Sequence, residues 1–290
     1  MAGRLQTRVY SARPEGAGAG LLSAGAWLGQ VRQDLADLGR FRHVLRNFVV
    51  TDLKVRYQRS VLGFLWTLLN PILMMVVLAV VFSQVLRTMG IEEYPLYLFS
   101  GFIPWIFFSS VIVSGSNSLL ANEFLIKTVQ VPKFLFPLRC LLVGLVNFVF
   151  EILALCILFV CFGEAFRVQV VLLPAAVVLL AVFALGIMFI TASLVTRYRD
   201  FEHIIGVFLQ AWYFLTPILY PESLVKDYAW LLRLNPMVYL MRIFHCTFYH
   251  HPASWPDPTT WLAAVVAAFG TLLIGYGIYK RCEPHYVFWL

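Results

Sequence analysis

Five long stretches of this sequence contain no charged residue, and this pattern constrains the fold more than any other feature. They lie between Arg59 and Arg87, Glu93 and Glu123, Arg167 and Arg197, Glu202 and Glu222, and Asp257 and Lys280. Their lengths are 27, 29, 29, 19 and 22 residues. Because an α-helix needs about 20 apolar residues to cross the hydrocarbon of a bilayer, each stretch predicts one membrane-spanning helix.

A sixth span is predicted at about 135–162, where an apolar run is interrupted only by Arg139 near its start and Glu151 inside it. The first, second and third spans are then roughly 61–86, 95–117 and 135–162, and the others fill 168–196, 203–221 and 258–279. Composition agrees, because 61% of the residues are apolar and only 13% are charged, against about 25% in globular domains. The sequence therefore predicts an all-α integral membrane protein with six transmembrane helices.

The basic residues predict which side of the membrane holds the termini. Six spans place both termini on one side, and 17 of the 22 Lys and Arg residues fall in segments on that side. Because cytoplasmic segments are enriched in Lys and Arg, both termini are predicted to be cytoplasmic. The net charge of +7 follows from this topology and does not predict a nucleic-acid partner.

The chain before the first span divides into two parts. Residues 1–30, with a glycine-rich run at 16–20, predict a flexible cytoplasmic leader. In residues 31–58 apolar side chains recur at helical spacing and charged residues fill the other faces. This pattern predicts an N-terminal amphipathic helix on the membrane interface, with a small soluble helix packed on a partner as the alternative. Residues 59–290 form the predicted transmembrane domain.

The segment from 221 to 258 is too long and too apolar to be a simple connection. It contains two short apolar stretches that are broken at Asn235–Pro236. Neither stretch reaches 18 residues without a charge, so neither is predicted to cross the bilayer. We expect a re-entrant helical hairpin between the fifth and sixth spans.

The motifs of several enzyme and transporter classes do not occur. The sequence contains no GxxxxGK[ST] phosphate-binding loop, no HExxH and no GxSxG. His245, His250 and His251 lack a fixed helical ligand spacing, so no metal site is predicted. An ion-coupled secondary transporter would carry inverted repeats and several intramembrane charges, whereas Glu151 is one clear case. For Glu151 a structural hydrogen bond is favoured over a proton relay.

Six motifs occur in order along the chain. They are the basic-to-apolar segment 52–75, Leu98–Trp105, Asn122–Lys133, Arg197–Phe201, Leu215–Pro221 and Leu234–Pro236. In this order, and with this topology, they resemble the ABC-2 type permeases that export polysaccharides, the membrane subunits of O-antigen, teichoic-acid and capsule exporters. The resemblance runs from about residue 45 to 280. An ABC-2 permease for another cargo, such as a lipid or a drug, is the alternative.

The resemblance implies an assembly in the bacterial inner membrane. Two copies of this chain would form a homodimer and pair with two copies of a separate ABC ATPase subunit. ATP and Mg²⁺ would bind to that subunit, so this chain would be a transport subunit without a cofactor and not an enzyme. Its other partners would be membrane lipids and a polysaccharide, which is expected to be linked to undecaprenyl diphosphate, with the O-antigen or teichoic-acid type favoured.

Three sets of residues are predicted to serve this function. Aromatic rings suit a glycan corridor because sugars stack on them; the candidates are Trp66, Trp105, Trp212, Tyr213, Tyr220, Tyr239 and Phe244. Basic residues at the entrance could bind a pyrophosphate; the candidates are Lys54, Arg56 and Arg59. Cytoplasmic segments, with a short helix at 123–128, could dock on the ATPase; the candidates are Asn122, Glu123, Phe124, Lys127, Arg197, Arg199 and Asp200. For the aromatic rings, the alternative is an interfacial belt or core packing. For the basic residues, it is binding to lipid phosphates, and for the cytoplasmic segments it is an ordinary polar turn.

Overall fold

The computed structural model describes residues 24–57, 94–161, 168–222, 229–248 and 255–290, with single positions from Trp66 to Val80. Within these ranges the regular structure is all helical, as predicted. The α-helices described are α1 (Ala24–Arg40), α2 (Arg42–Tyr57), α3 (Tyr94–Ser116), α4 (Glu123–Thr128), α5 (Leu135–Cys161), α6 (Leu173–Arg197), α7 (Phe201–Phe214), α8 (Ala229–Leu234), α9 (Pro236–Phe248), α10 (Pro258–Cys282) and α11 (Tyr286–Trp289). Single 3-10 turns occupy Leu120–Asn122, Val168–Leu172 and Glu283–His285.

Four stretches of the described chain are long and apolar enough to cross a membrane. They are Leu96–Ser116, Leu135–Ile157, Val168–Arg197 and Pro258–Trp289. These stretches match the second, third, fourth and sixth predicted spans. The physical reason is local, because a long run of apolar residues with few charges can satisfy its backbone in lipid only as a helix.

The other two predicted spans differ in their outcome. The first, at 61–86, lies mostly outside the described residues and stays a prediction. For the fifth, the structure corrects the length, because α7 has 14 residues and ends at Phe214. A helix of that length spans about 21 Å, less than the hydrocarbon thickness of about 30 Å. Pro217 follows in a turn, and proline cannot donate the backbone hydrogen bond that would continue a helix.

The predicted amphipathic helix at 31–58 is divided in two. Helix α1 begins at Ala24, within the predicted leader, and ends at Arg40, while α2 begins at Arg42. The chain separates into two compact units at this point, residues 1–42 and 43–290. Gly39 lies at the end of α1, and a Cβ atom added to it would meet no other atom within 4 Å. The absence of a side chain there is therefore not required by packing. Because glycine weakens a helix by about 1 kcal/mol relative to alanine, it favours the end of α1 at this point.

Helix α3 is the most buried of the four candidate spans. Within the chain, 72% of its apolar window is buried, against 28% for α5 and 17% for α10. Phe107 stacks on Phe148 of α5 with ring centroids 4.5 Å apart, and Phe108 stacks on Phe183 of α6 at 5.5 Å. Helix α3 is therefore the central element, and α5 and α10 expose apolar faces.

Helices α6 and α10 touch through their backbones. A Cβ atom on Gly275 would overlap the carbonyl oxygen of Gly186, and one on Gly186 would lie 2.6 Å from the backbone of Leu272. No side chain fits at this crossing. Small residues at helix contacts allow close approach in membrane proteins, so this pair of glycines fixes the spacing of the two helices.

We predict that Gly275→Ala destabilises the protein by about 1–3 kcal/mol, because the added methyl group forces α10 away from α6. Gly277→Ala is the matched control, since Gly277 lies in the same helix and a Cβ atom on it would meet nothing within 4 Å. Thermal unfolding of the purified chain in detergent measures the difference. Equal midpoints for the two variants would contradict the close contact.

Candidate functional site

Helix α4 covers the residues predicted as a short cytoplasmic helix. Glu123 lies in its first turn and Lys127 in its last, where each charge opposes the helix dipole. Their side chains form an ion pair at 2.6 Å, and this hydrogen bond lowers the pKa of the Glu123 carboxyl. The helix ends at Thr128, and the backbone of the following residue, Val129, is extended. The Phe124 side chain is 82% exposed, so a large apolar group projects from this helix.

Arg139, in the first turns of α5, joins three segments. Its Nε atom donates to Asp52 of α2, and its Nη2 atom donates to the other carboxylate oxygen of Asp52 at 2.7 Å. Its Nη1 atom donates to Asn122 Oδ1, immediately before α4, at 3.3 Å. The guanidinium also lies 5.4 Å from the ring centroid of Phe48. We refer to Asp52, Asn122, Arg139 and Phe48 as the Arg139 junction.

Sequence reasoning missed this junction. It treated Arg139 as a charge near the start of the third span and gave no role to the Asp52 carboxylate. A signal was present, because a guanidinium at the edge of an apolar helix requires an acceptor. The identity of that acceptor depends on tertiary packing across 87 positions of chain.

The second predicted coupling segment lies between α6 and α7. Arg197, Tyr198, Arg199 and Asp200 are all exposed. The guanidinium of Arg197 lies over the rings of Tyr198 and of Trp289 in α11, at 5.0 and 5.4 Å. The positive charge of Arg199 also helps to lower the pKa of Glu123, after the larger effect of Lys127.

The C-terminal segment contacts the chain that follows α4. Lys133 Nζ donates to the backbone oxygen of Glu283 at 2.7 Å and lies 5.7 Å from the ring centroid of Tyr286. Burial lowers the pKa of the Lys133 ammonium. Tyr286 is fully buried, and its hydroxyl lies 2.7 Å from that of Ser193 in α6. These contacts hold α11 against α6 and against the segment that precedes α5.

The predicted headgroup residues lie in the last turn of α2. Lys54 and Arg56 are both exposed, and Arg59 lies outside the described residues. The Oε2 atom of Glu151 is buried and has no hydrogen-bond partner in the part of the chain that the structure describes. The structural hydrogen bond predicted for this carboxyl is therefore not seen at that atom.

Three of the predicted corridor residues meet between α3 and α7. The ring of Trp105 lies 6.3 Å from that of Trp212 and 5.6 Å from that of Tyr213. Trp212 and Tyr213 are half-buried, whereas Trp105 is only 5% exposed. Phe244 has no exposed surface and packs edge-on against Phe148. Trp105 and Phe244 are therefore core residues in this structure, and the place of their rings on a translocation path stays a prediction.

The remaining predicted rings keep accessible surface. Trp66 is 48% exposed, and Tyr220 and Tyr239 are half-buried. The Tyr220 hydroxyl donates to the backbone oxygen of Phe214 at 2.9 Å, and the Tyr239 hydroxyl donates to that of Arg233 at 2.8 Å. Both bonds hold the phenol groups close to helix ends.

Asn235 marks the predicted break between the two short helices α8 and α9. Its Oδ1 atom accepts from the backbone N–H of Met237 at 3.0 Å and from the Trp212 indole at 2.8 Å. Its Nδ2 atom donates to Leu215 O and Thr216 Oγ1 at 3.2 and 3.1 Å. Asn235 thus caps α9 and fastens it to the end of α7. The re-entrant position of this hairpin in a membrane stays a prediction.

No group of three or more His, Cys, Asp or Glu side chains in the described ranges is arranged to hold a metal ion. His250 and His251 lie outside those ranges. His245 lies in α9, where its ring contacts Ser100 of α3.

Comparison with known proteins gives consistent matches. Residues 45–249 match the family model described as ABC-2 type transporter. The chain is 36% identical over 232 residues to the O-antigen export system permease protein RfbA of Myxococcus xanthus, covering 79% of this chain and 89% of that protein. It is 28% identical over 188 residues to a protein of the same name from Klebsiella pneumoniae, covering 64% and 72%. It is 26% identical over 239 residues to the polysialic acid transport protein KpsM of Escherichia coli, covering 80% and 90%.

Proposed function

This chain belongs to the ABC-2 type transporter family, and from that premise we propose that it is the membrane subunit of an ATP-driven polysaccharide exporter. The observation that carries the proposal is the match over 89% of an O-antigen export permease. The chain is a multi-pass membrane protein. A transport subunit of this kind is not an enzyme, and its energy comes from ATP hydrolysed on another subunit.

The proposed assembly has two copies of this chain and two of a separate ABC ATPase subunit in the bacterial inner membrane. We propose six spans with both termini in the cytoplasm, in which 61–86 is the first and the segment from α7 to 221 is the fifth. The exposed apolar faces of α5 and α10 support this arrangement, because they require lipid or a second copy of the chain as a neighbour.

Helix α4 is the proposed docking element for the ATPase subunit, with Arg197, Arg199 and Asp200 as the second contact. The exposed Phe124 ring supports this role, since aromatic anchors carry much of the energy at protein interfaces. Asn122 connects α4 to the Arg139 junction, so displacement of α4 would reach α2 through two side chains. ATP and Mg²⁺ would remain on the partner subunit.

The proposed cargo is a polysaccharide on undecaprenyl diphosphate, of O-antigen or teichoic-acid type. Lys54 and Arg56 support this choice, because they are exposed in the last turn of α2, next to the predicted first span. Together with Arg59 they would bind the pyrophosphate. Trp66, Trp212, Tyr213, Tyr220 and Tyr239 would offer stacking surfaces for sugars.

We predict that Phe124→Ala weakens binding of the ATPase subunit by a factor of about 30, the effect of losing an aromatic anchor worth about 2 kcal/mol. The fold should not change, because this ring is exposed. Phe288→Ala is the matched control, since Phe288 is 85% exposed at the other end of the chain. Affinity of the purified subunits in detergent measures the effect. Equal affinities for wild type and Phe124→Ala would contradict docking through α4.

We predict that the double variant Lys54→Glu, Arg56→Glu reduces polysaccharide export by at least about tenfold, because two charge-assisted contacts to phosphate are lost. Surface polysaccharide is measured in a strain that lacks the gene for this chain, after the wild-type chain or a variant is expressed in it. Arg46→Glu is the control, since Arg46 is exposed on the same helix. Failure of the wild-type chain to restore export would overturn the proposed function. An equal loss of export and of membrane insertion would overturn the headgroup role alone.

A further inference from the structure

A polar cluster outside the proposed coupling and headgroup sites joins three segments of the membrane domain. The Nδ1 atom of His245 in α9 lies 2.7 Å from the hydroxyl of Ser100 in α3, and its Nε2 atom lies 3.3 Å from the carbonyl oxygen of Pro217. The ring of Tyr97 stacks on the imidazole with centroids 4.4 Å apart and planes 4° apart. We name Tyr97, Ser100, Pro217 and His245 the latch cluster.

The number of hydrogens on each group determines which groups donate and which accept within the latch cluster. The Pro217 carbonyl can only accept, so Nε2 of His245 carries the hydrogen in that bond. In a neutral imidazole Nδ1 is then an acceptor for the single hydroxyl hydrogen of Ser100, which is shared with the Tyr97 carbonyl oxygen 2.7 Å away. The single hydrogen of the Tyr97 hydroxyl is shared between the same Pro217 oxygen at 3.1 Å and the Tyr220 backbone oxygen at 2.8 Å. These hydrogen bonds therefore link α3 to α9 and to the turn that contains Pro217.

The backbone near the latch cluster is suited to bending. Pro104 lies inside α3, four residues after Ser100, and has no N–H to bond the Ser100 carbonyl. Gly101 admits the imidazole, because a Cβ atom there would lie 2.9 Å from His245 Cε1. The turn from 215 to 221 contains Pro217 and follows the end of α7. The cluster thus bridges a proline-interrupted helix and an irregular turn.

The turn at 215–221 is closed over the interior in this structure. Thr216, Pro217 and Ile218 in its centre are buried, and Ile218 has no exposed surface. The proposed corridor rings Tyr213 and Tyr220 lie on either side of this centre. Displacing the turn would therefore move the Tyr220 ring away from Tyr213 in α7 and uncover the segment between them.

We propose that the latch cluster holds the 215–221 turn closed against α3, and that its hydrogen bonds break when the turn opens for cargo. This inference deepens the proposed function and rests on it. Hydrogen bonds in an apolar surrounding are directional and costly to leave unmade, so breaking them opposes displacement of the turn. His245 is a positioning residue, since it acts on the corridor through Pro217 and Tyr97.

Hydrogen exchange of the full chain in lipid nanodiscs tests the latch, read by mass spectrometry on peptides that cover 215–221. Ser100→Ala removes the bond to Nδ1 and should raise the exchange rate of these amides about tenfold, the effect of one buried hydrogen bond on an opening equilibrium. Ser116→Ala is the matched control. Ser116 is a buried serine of α3 whose hydroxyl bonds only to Val113 of its own helix among the contacts described.

The two variants separate a latch from a general loss of packing. Faster exchange at 215–221 in Ser100→Ala, with wild-type exchange in Ser116→Ala, supports the latch. Equal exchange in both variants overturns it. His245→Ala should show the larger increase, and if that chain fails to fold, Ser100→Ala decides. Exchange needs neither cargo nor ATPase subunit, so a wild-type chain that exports no polysaccharide would overturn the proposed function and leave this result standing.

Discussion

The bonds from Arg139 to Asp52 and Asn122 are the contacts on which the arrangement of α2, α4 and α5 depends. A guanidinium at the start of an apolar helix is unfavourable unless its donors are satisfied. Its planar fork binds both oxygens of the Asp52 carboxylate, a geometry that Lys could not reproduce, and a further donor reaches Asn122. The three segments α2, α4 and α5 are therefore held in one arrangement by a single side chain.

This junction gives the proposed exporter a short mechanical route. A force on α4 would pass through Asn122 and Arg139 to α2, which carries Lys54 and Arg56 at the proposed cargo entrance. The route needs a fixed frame, and the contact of Gly186 with Gly275 supplies one by setting the spacing of α6 and α10. Helix α3 packs against α6 at the centre of the molecule. The latch cluster lies near the N-terminal end of α3, so this helix connects the cluster to the α6–α10 pair.

The features encoded locally could be predicted from the sequence. Four helices of membrane-spanning length follow from long apolar runs, the end of α4 from the proline that follows it, and the break before α9 from Asn235–Pro236. Features that depend on tertiary contacts could not be predicted in this way. The acceptor of Arg139 lies on a distant helix, and the burial of Phe244 depends on its neighbour Phe148. The short α7 and the division of the amphipathic helix at Phe41 show where apolar periodicity alone misjudges helix ends.

A double-mutant cycle on Asp52 and Arg139 tests the mechanical route most directly. Asp52→Asn, Arg139→Gln and the double variant are reconstituted with the ATPase subunit, and polysaccharide transported per ATP hydrolysed is measured. If the pair transmits motion, each single variant should hydrolyse ATP yet transport less polysaccharide per ATP. The double variant should then be no worse than the single variants, because the two residues act as one unit. Losses that multiply, or an unchanged yield per ATP, would contradict the account.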